Sequence, residues 1–352
     1  MSSREAMLYE QLSENRVRCY LCARRCLIRE GAVGFCLVRK NISGRLYSLN
    51  YAKACAANVD PIEKKPLSHF HPRSLVMSIA TIGCNFRCQF CDNWVISQEK
   101  EITGRDLPPE DVVRLAKDYD CQGISYTYTE PTIFFEYAYD TAILAHEKGL
   151  FNTFVTNGYM TVEAVETISP YLDAATVDFK GGGDPEFYRK FSSVPSVEPI
   201  YESLKEMKKH NIHVEITNLV VPEIGDSMER IRELAIWIRE NLGKDTPFHL
   251  LRFHPNYKLD NIRSTEPKTL EEGYRVSHEA GLNYVYLGNV PGHRYENTYC
   301  PSCQELLIKR FSFDIIKWSI TEDTRCPKCG QTIPIVGKFH RSGGLSLPYS
   351  II

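Results

Sequence analysis

Residues 75–91 read LVMSIATIGCNFRCQFC, and this stretch indicates the fold more strongly than any other part of the chain. Its first eight residues form a short apolar run that is rich in β-branched side chains, so they predict a buried strand that ends at Gly83. Cys84, Cys88 and Cys91 follow on a loop in a CxxxCxxC spacing. Ordinary [4Fe–4S] sites use four cysteines, so three thiolates without a fourth nearby would leave one iron with an exchangeable position. The alternative is a zinc site that recruits a distant fourth ligand.

Strand-like and helix-like segments alternate from this stretch onward. This alternation predicts a parallel sheet with right-handed crossovers. We expect a partial or full (β/α) barrel of the TIM type; a doubly wound sheet fits less well because no GxGxxG turn follows the first strand. The predicted strands are 75–82, 123–129, 151–156, 174–179, 213–221, 248–253 and 284–290, and the predicted helices are 111–118, 133–148, 162–168, 201–210, 228–241 and 270–280.

Polar residues close nearly every predicted strand. Function in a (β/α) barrel gathers at the C-terminal ends of the strands, so these residues should form one coherent site. Beyond the cysteine loop, the strand ends carry Thr129-Glu130-Pro131, Thr156-Asn157-Gly158, Asp178-Phe179-Lys180, Asn218, Arg252-Phe253-His254 and Gly288-Asn289.

The CxxxCxxC loop after the first barrel strand resembles the signature of the radical S-adenosylmethionine (SAM) superfamily, including the aromatic Phe90 before the last cysteine. The resemblance implies a [4Fe–4S] cluster on Cys84, Cys88 and Cys91, and SAM on its open iron. It also implies reductive cleavage of SAM to a 5′-deoxyadenosyl radical that abstracts a substrate hydrogen. The cofactor supplies the difficult chemistry, and the protein positions it. An electron donor of the ferredoxin or flavodoxin type is implied as a partner.

The chain more narrowly resembles the radical SAM enzyme of the AmmeMemoRadiSam system, a relative of the pyruvate formate-lyase activating enzymes. That resemblance implies Memo-type and AMMECR-domain proteins as partners and leaves the substrate open. The matching stretches are Asp60-Pro61-Ile62-Glu63-Lys64-Lys65-Pro66-Leu67, Tyr126-Thr127-Tyr128-Thr129-Glu130-Pro131-Thr132, Val155-Thr156-Asn157-Gly158-Tyr159-Met160 and Val285-Tyr286-Leu287-Gly288-Asn289-Val290.

The resemblance also implies residues that contact SAM. Activating-enzyme relatives end the second strand in Gly-Gly-Glu-Pro, where this chain has Tyr128-Thr129-Glu130-Pro131, so Glu130 is an acceptor suited to the SAM ammonium group while the backbone approach differs. The remaining implied contacts are Thr156 and Asn157 with the carboxylate or ribose, Asp178 and Lys180 with the carboxylate, and His254 near the adenosyl group. Val155 replaces an aspartate that helps to hold a monovalent cation in some relatives, so that cation site is not expected. A helix-start carboxylate, a surface ion pair and a structural histidine are the plain alternatives for Glu130, for the Asp178–Lys180 pair and for His254.

Two further cysteine groups flank the predicted barrel. Cys300, Cys303, Cys326 and Cys329 form two CxxC knuckles, which predicts a closed, structural zinc ribbon, with iron as the alternative. The first group is Cys19, Cys22, Cys26 and Cys36, which fits either zinc or an auxiliary Fe–S cluster. Cys55 and Cys121 stand alone and are expected to be buried structural thiols.

Composition places the chain among ordinary globular proteins. Of its 352 residues, 43% are apolar and 24% are charged, and the net charge of −2 gives no global attraction to nucleic acid or membrane. Without an apolar signal core or a long apolar run, we expect a cytoplasmic protein, and thirteen cysteines there favour metal or cluster ligation over disulfides. The expected domains are a cysteine-rich module (1–70), the barrel (71–292) and a ribbon (293–352).

Three functional hypotheses follow. The first is a radical SAM enzyme, oxidoreductase-like, that modifies a macromolecule or a metabolite. The second is an activase that installs a glycyl radical on a partner enzyme, although short activases often need neither flanking module. The third is a nucleic-acid-binding protein with an inactive barrel, for which the ribbon and the basic N-terminal segment would be the contact surfaces.

Overall fold

The structure, a computed structural model, describes residues 4–340 and 349–351. Its N-terminal part folds into two small antiparallel sheets, with strand orders β1-β6-β5 and β2-β3-β4. These strands are β1 (Arg4–Glu5), β2 (Tyr9–Gln11), β3 (Val17–Cys19), β4 (Leu27–Ile28), β5 (Arg39–Ile42) and β6 (Arg45–Ser48).

A larger sheet follows, and most of it is parallel. In chain order its elements and their helices are β7 (Lys53–Pro61), β8 (Leu75–Thr81), α1 (Trp94–Ser97), β9 (Arg105–Asp106), α2 (Pro109–Asp118), β10 (Gly123–Tyr126), α3 (Phe135–Glu147), β11 (Phe151–Thr156), α4 (Val162–Ile168), β12 (Ala174–Lys180), α5 (Pro185–Ser192), α6 (Glu198–Lys209), β13 (His213–Val220), α7 (Met228–Asn241), β14 (Phe248–Arg252), α8 (Pro267–Glu279) and β15 (Val285–Gly288).

The parallel strands lie side by side in chain order, from β8 and β10 through to β15. Strand β7 continues the sheet beyond β8 in the antiparallel sense. The predicted parallel α/β sheet is thereby confirmed, and each predicted strand and helix has a counterpart. Among the strands that the structure describes, no pairing joins β15 back to β8, so a barrel closed by hydrogen bonds stays a prediction.

Helix α5 was missed by the sequence reasoning. Asp184 caps it, because its Oδ1 accepts from the backbone N–H groups of Glu186 (2.7 Å) and Phe187 (3.0 Å), and Pro185 occupies the first turn. This Asp-Pro start and the amphipathic pattern that follows it were readable signals that the sequence reasoning did not use.

The segment between β7 and β8 covers the N-terminal ends of the parallel strands. Its apolar Ile62, Leu67 and Phe70 are buried together with the first residues of neighbouring strands. On its polar side, the buried Glu215 carboxylate of β13 accepts from the backbone N–H groups of Ser68 (3.0 Å) and residue 69 (2.7 Å). This segment therefore packs across the N-terminal ends of the sheet, opposite to the strand ends that carry the predicted site.

The C-terminal part is an antiparallel sheet of β16 (Thr298–Tyr299), β17 (Leu306–Phe311) and β18 (Asp314–Trp318). The last described strand, β19 (Tyr349–Ser350), returns to pair with β7. Within the described residues, none of the helices has the length and apolarity that crossing a membrane requires.

Candidate cluster and cofactor site

The CxxxCxxC loop leaves β8 through a glycine that the geometry requires. Gly83 has φ +104°, and a Cβ there would lie 2.8 Å from Val38 Cγ1. Farther along, the loop is hydrogen-bonded to the end of α5: the N–H groups of Arg87 and Gln89 donate to the carbonyls of Ser192 (3.0 Å) and Phe191 (2.8 Å). The end of α5 therefore holds the middle of the loop in place.

Each of the three cysteine sulfurs in this loop has a polar neighbour. The Phe86 N–H donates to Cys84 Sγ (3.3 Å), the Cys88 thiol donates to Ser192 Oγ (3.5 Å), and Cys91 Sγ lies 3.2 Å from Ser97 Oγ. All three belong to the described residues, yet the sulfurs are not grouped within 4.8 Å of one another. At least one pair of these sulfurs is therefore more than 4.8 Å apart, which is wider than the spacing around a single tetrahedral ion.

Burial governs the protonation of these thiols. It raises the pKa of Cys84 well above its ordinary value, that of Cys88 to about 11, and that of Cys91. The nearby Lys180 ammonium opposes the rise at Cys88 and Cys91. Metal binding must displace the thiol protons, so Lys180 favours the thiolate form that ligates iron.

Glu130 ties the ends of two neighbouring strands together. Its buried carboxylate accepts from Thr132 N (3.0 Å), Thr132 Oγ1 (2.5 Å) and Thr156 Oγ1 (2.7 Å) on one oxygen, and from Asn157 N (2.8 Å) on the other. Burial raises its pKa, and these donors oppose the rise. The predicted ammonium acceptor is thus also the group that fixes Thr156 and Asn157.

Asn157 connects this network to the cysteine loop. Its amide donates to Asn85 Oδ1 (2.7 Å) and lies 3.9 Å from Cys84 Sγ, while its oxygen accepts from Tyr159 N (3.0 Å). The end of β11, the Asn157 amide and the Cys84 sulfur therefore lie in continuous contact, as expected for residues at the C-terminal ends of parallel strands.

Asp178 and Lys180 also point to this end of the sheet. The Lys180 ammonium is mostly buried and lies 3.9 Å from the Asp178 carboxylate, which accepts a short hydrogen bond from the Thr217 hydroxyl. The pair is not a fully solvated surface ion pair, because the Lys180 side chain is only 14% exposed.

Three predicted contact residues lie elsewhere. Phe90 is buried against Phe187, with ring centroids 5.5 Å apart, and Thr129 donates to the Thr81 carbonyl (2.8 Å). His254 is exposed, lies 3.2 Å from Ser264 Oγ, and lines a cavity that also includes Asp92. The cavity that His254 lines includes none of the three cysteines, so the structure does not bring His254 together with the predicted cluster ligands.

The sequence reasoning missed four polar residues of the site. They are Asn85, Ser97, Ser192 and Thr217, which contact a cysteine, an amide or a carboxylate as given above. Asn85 lies inside the motif and could have been found there. The two serines act from separate helices, and no sequence signal marks them.

The four C-terminal cysteines converge on one point. Their sulfurs all lie within 4.8 Å of one another, with Cys300 to Cys329 at 3.5 Å and Cys303 to Cys326 at 3.7 Å. A tetrahedral ion with sulfur bonds of about 2.3 Å separates its sulfurs by about 3.8 Å. The group therefore matches a single four-coordinate ion, and the geometry is the same for zinc and for a lone iron.

Comparisons with known proteins identify relatives of this chain. Residues 78–238 match the radical SAM superfamily. An uncharacterized protein of Methanocaldococcus jannaschii is 48% identical over 337 residues, covering 95% of this chain and 99% of that protein. The pyruvate formate-lyase-activating enzyme of Clostridium pasteurianum is 27% identical over 199 residues, which is 52% of this chain and 82% of that enzyme. A solved radical SAM methyltransferase from Sphaerobacter thermophilus has a TM-score of 0.49 and 16% identity, covering 62% of this chain and 68% of that one.

A parallel α/β sheet with a three-cysteine loop at its C-terminal ends defines an enzyme of the radical SAM type. The chain belongs to the radical SAM superfamily and is homologous to pyruvate formate-lyase activating enzymes. Membership implies a [4Fe–4S] cluster and SAM as co-substrate. The chemistry of Cys84, Cys88 and Cys91 fits that cluster, because one loop supplies three thiols, each beside a polar group.

Proposed function

We propose that Cys84, Cys88 and Cys91 hold a [4Fe–4S] cluster whose open iron binds SAM. When reduced, this cluster would supply the electron that cleaves SAM to a 5′-deoxyadenosyl radical, and this radical would abstract a substrate hydrogen. The observation that carries this proposal is the convergence of Cys84, Asn157 and Glu130 at the ends of three neighbouring strands.

The protein's own residues would orient SAM beside the sulfurs. Lys180, mostly buried and close to Cys88 and Cys91, supplies a cation for the SAM carboxylate. Glu130 has one oxygen with a single donor, so that oxygen can still accept from the SAM ammonium group. His254, which lines a cavity together with Asp92, is the proposed contact for the adenosyl group.

As a modifying enzyme, the chain would act on a macromolecule or a metabolite, with Memo-type and AMMECR-domain proteins as partners. A glycyl-radical activase is the second candidate, and the similarity to the Clostridium pasteurianum activating enzyme favours it. An activase would install a radical on a partner glycine, which electron paramagnetic resonance (EPR) of the mixture detects. A modifying enzyme would instead transfer deuterium from a labelled substrate into 5′-deoxyadenosine.

The C-terminal cysteines are proposed to bind structural zinc in a ribbon. Four close sulfurs leave no open ligand position, which is typical of structural rather than catalytic zinc. Metal analysis of the full chain separates zinc from iron at this site.

The enzymatic proposal is tested by product formation. The anaerobically reconstituted full chain is mixed with SAM and dithionite, and 5′-deoxyadenosine is measured by mass spectrometry. We expect product from the wild-type chain and from the matched control Cys55→Ala, and none from Cys88→Ala. An inactive wild-type chain under conditions where a known radical SAM enzyme is active would refute the proposal.

A further inference from the structure

The four N-terminal cysteines surround one small cavity. Cys19, Cys22, Cys26 and Cys36 all line it, although they come from different turns of the module. Cys19 and Cys36 are buried, whereas Cys22 and Cys26 are partly accessible. The group therefore has an inner and an outer side.

A buried side-chain donor points at one of these sulfurs. The Arg39 guanidinium donates to Cys19 Sγ at 3.1 Å in a buried position. Arg39 is itself held by a short ion pair with the buried Glu136. Donors of this kind stabilise thiolates, which are the ligand form of cysteine.

The spacing of these sulfurs argues against a single ion. No three of the four lie mutually within 4.8 Å, although all four belong to the described residues. The C-terminal group, which has the same number of cysteines, meets that limit with all four sulfurs. A cubane of four irons holds its cysteines farther apart than one tetrahedral ion does, so the wider spacing of these sulfurs suits an Fe–S cluster.

The module is locked against the CxxxCxxC loop by reciprocal contacts. Arg24 Nε donates to the Asn85 carbonyl (3.0 Å), and Arg87 Nη2 donates to the Phe35 carbonyl (2.5 Å). Both guanidinium groups also lie over the Phe35 ring, at 3.8 Å and 4.6 Å.

Cys36 lies beside the glycine that begins the barrel loop. The Cys36 carbonyl lies 3.1 Å from the point where a Cβ of Gly83 would stand, and Gly83 directly precedes Cys84. The cavity wall also includes Asn85 and Ile133 of the barrel. Only a few bonded and contacting atoms therefore separate the two cysteine groups.

We propose that Cys19, Cys22, Cys26 and Cys36 hold a second [4Fe–4S] cluster that passes single electrons to the Cys84/Cys88/Cys91 cluster. A reduced one-electron carrier of the ferredoxin or flavodoxin type is oxidised by one electron at the Cys22/Cys26 side, and the second cluster is reduced. That cluster then returns to its oxidised state as the electron leaves past Cys36 and Gly83 and reduces the barrel cluster. The relay rests on the proposed function, whereas the presence of the second cluster does not.

Iron and acid-labile sulfide counts of the full chain test the second cluster. The reconstituted wild-type chain should hold about eight irons and about eight sulfides, and Cys84→Ala/Cys88→Ala/Cys91→Ala about four of each. The variant's reduced EPR signal should not respond to SAM. A ribbon iron would add no sulfide, so the sulfide count isolates the clusters. A sulfide-free triple variant, or a wild-type chain with about four sulfides, would overturn the proposal.

The relay is tested by reduction kinetics. Cys22→Ala/Cys26→Ala should keep a SAM-responsive cluster, but its reduction by photoreduced flavodoxin should be at least about tenfold slower than in wild type and in the control Cys55→Ala/Cys121→Ala. Equal rates in all three proteins would eliminate the relay. If this variant does not fold, the wild-type and triple-variant counts still decide whether the second cluster exists. A wild-type chain that has the expected iron and sulfide counts but whose EPR signal does not respond to SAM would instead refute the proposed function.

Discussion

Replacing Glu130 by Gln tests whether its buried carboxylate organises the site. One carboxylate oxygen accepts three hydrogen bonds, which the Gln carbonyl can keep, and the other accepts the Asn157 N–H at 2.8 Å. In the variant, an NH₂ group faces that N–H, so one buried donor loses its acceptor. Such a loss costs about 1–3 kcal/mol. Because Gln carries no charge, the variant also avoids the cost of burying a carboxylate, and the net loss of stability stays within that range.

The assay is urea denaturation of the reconstituted chain, with SAM binding measured in parallel. We expect Glu130→Gln to lower the free energy of unfolding by about 1–3 kcal/mol and to weaken SAM binding at least about tenfold, because Asn157 shifts. The control Glu272→Gln removes an exposed ion pair with Arg275 and should leave the unfolding midpoint close to that of the wild type. A variant that matches wild type in both measurements would show that Glu130 does not hold Asn157.

Three further outcomes are expected. Gly83→Ala should lower the free energy of unfolding by about 1–3 kcal/mol in urea, because a Cβ at φ +104° would meet Val38 at 2.8 Å; a wild-type midpoint would contradict this. Cys326→Ser should remove about one equivalent of metal from the full chain, since the four sulfurs share one ion; unchanged metal content would refute a single shared site. Burial lowers the pKa of His69 to about 3, so unfolding takes up a proton below about pH 6.5, and stability should fall toward acid by up to about 1.4 kcal/mol per pH unit; a His69→Asn variant with the wild-type slope would contradict that.

Periodicity and motif spacing were enough to predict most of the parallel sheet. Helices 162–168 and 228–241 match α4 and α7, because their apolar faces repeat with a helical period against a buried sheet. The strand ends were less well predicted: 123–129 extends past β10, which ends at Tyr126, because Tyr128 takes φ +63° and leaves the extended region. Backbone reversals of this kind depend on tertiary contacts.

The site was predictable where one rule applied to each strand. Glu130, Thr156 and Asn157 were identified because they close parallel strands, and the structure brings them together. The mutual hydrogen bonds of Glu130 were not predictable, since they depend on side-chain directions across strands. Ser192 was missed for a different reason, because it enters from the end of α5, whose contact with Cys88 has no local sequence pattern.

The central claim is that SAM binds the open iron of a cluster on Cys84, Cys88 and Cys91. The most direct measurement is electron–nuclear double resonance of the reduced chain with SAM labelled by ¹⁵N at the amino group and ¹⁷O at the carboxylate. If SAM binds this iron, both labels should show hyperfine coupling in the wild-type chain and in Cys22→Ala/Cys26→Ala. A reduced cluster on these cysteines that shows neither coupling at saturating SAM would contradict the claim.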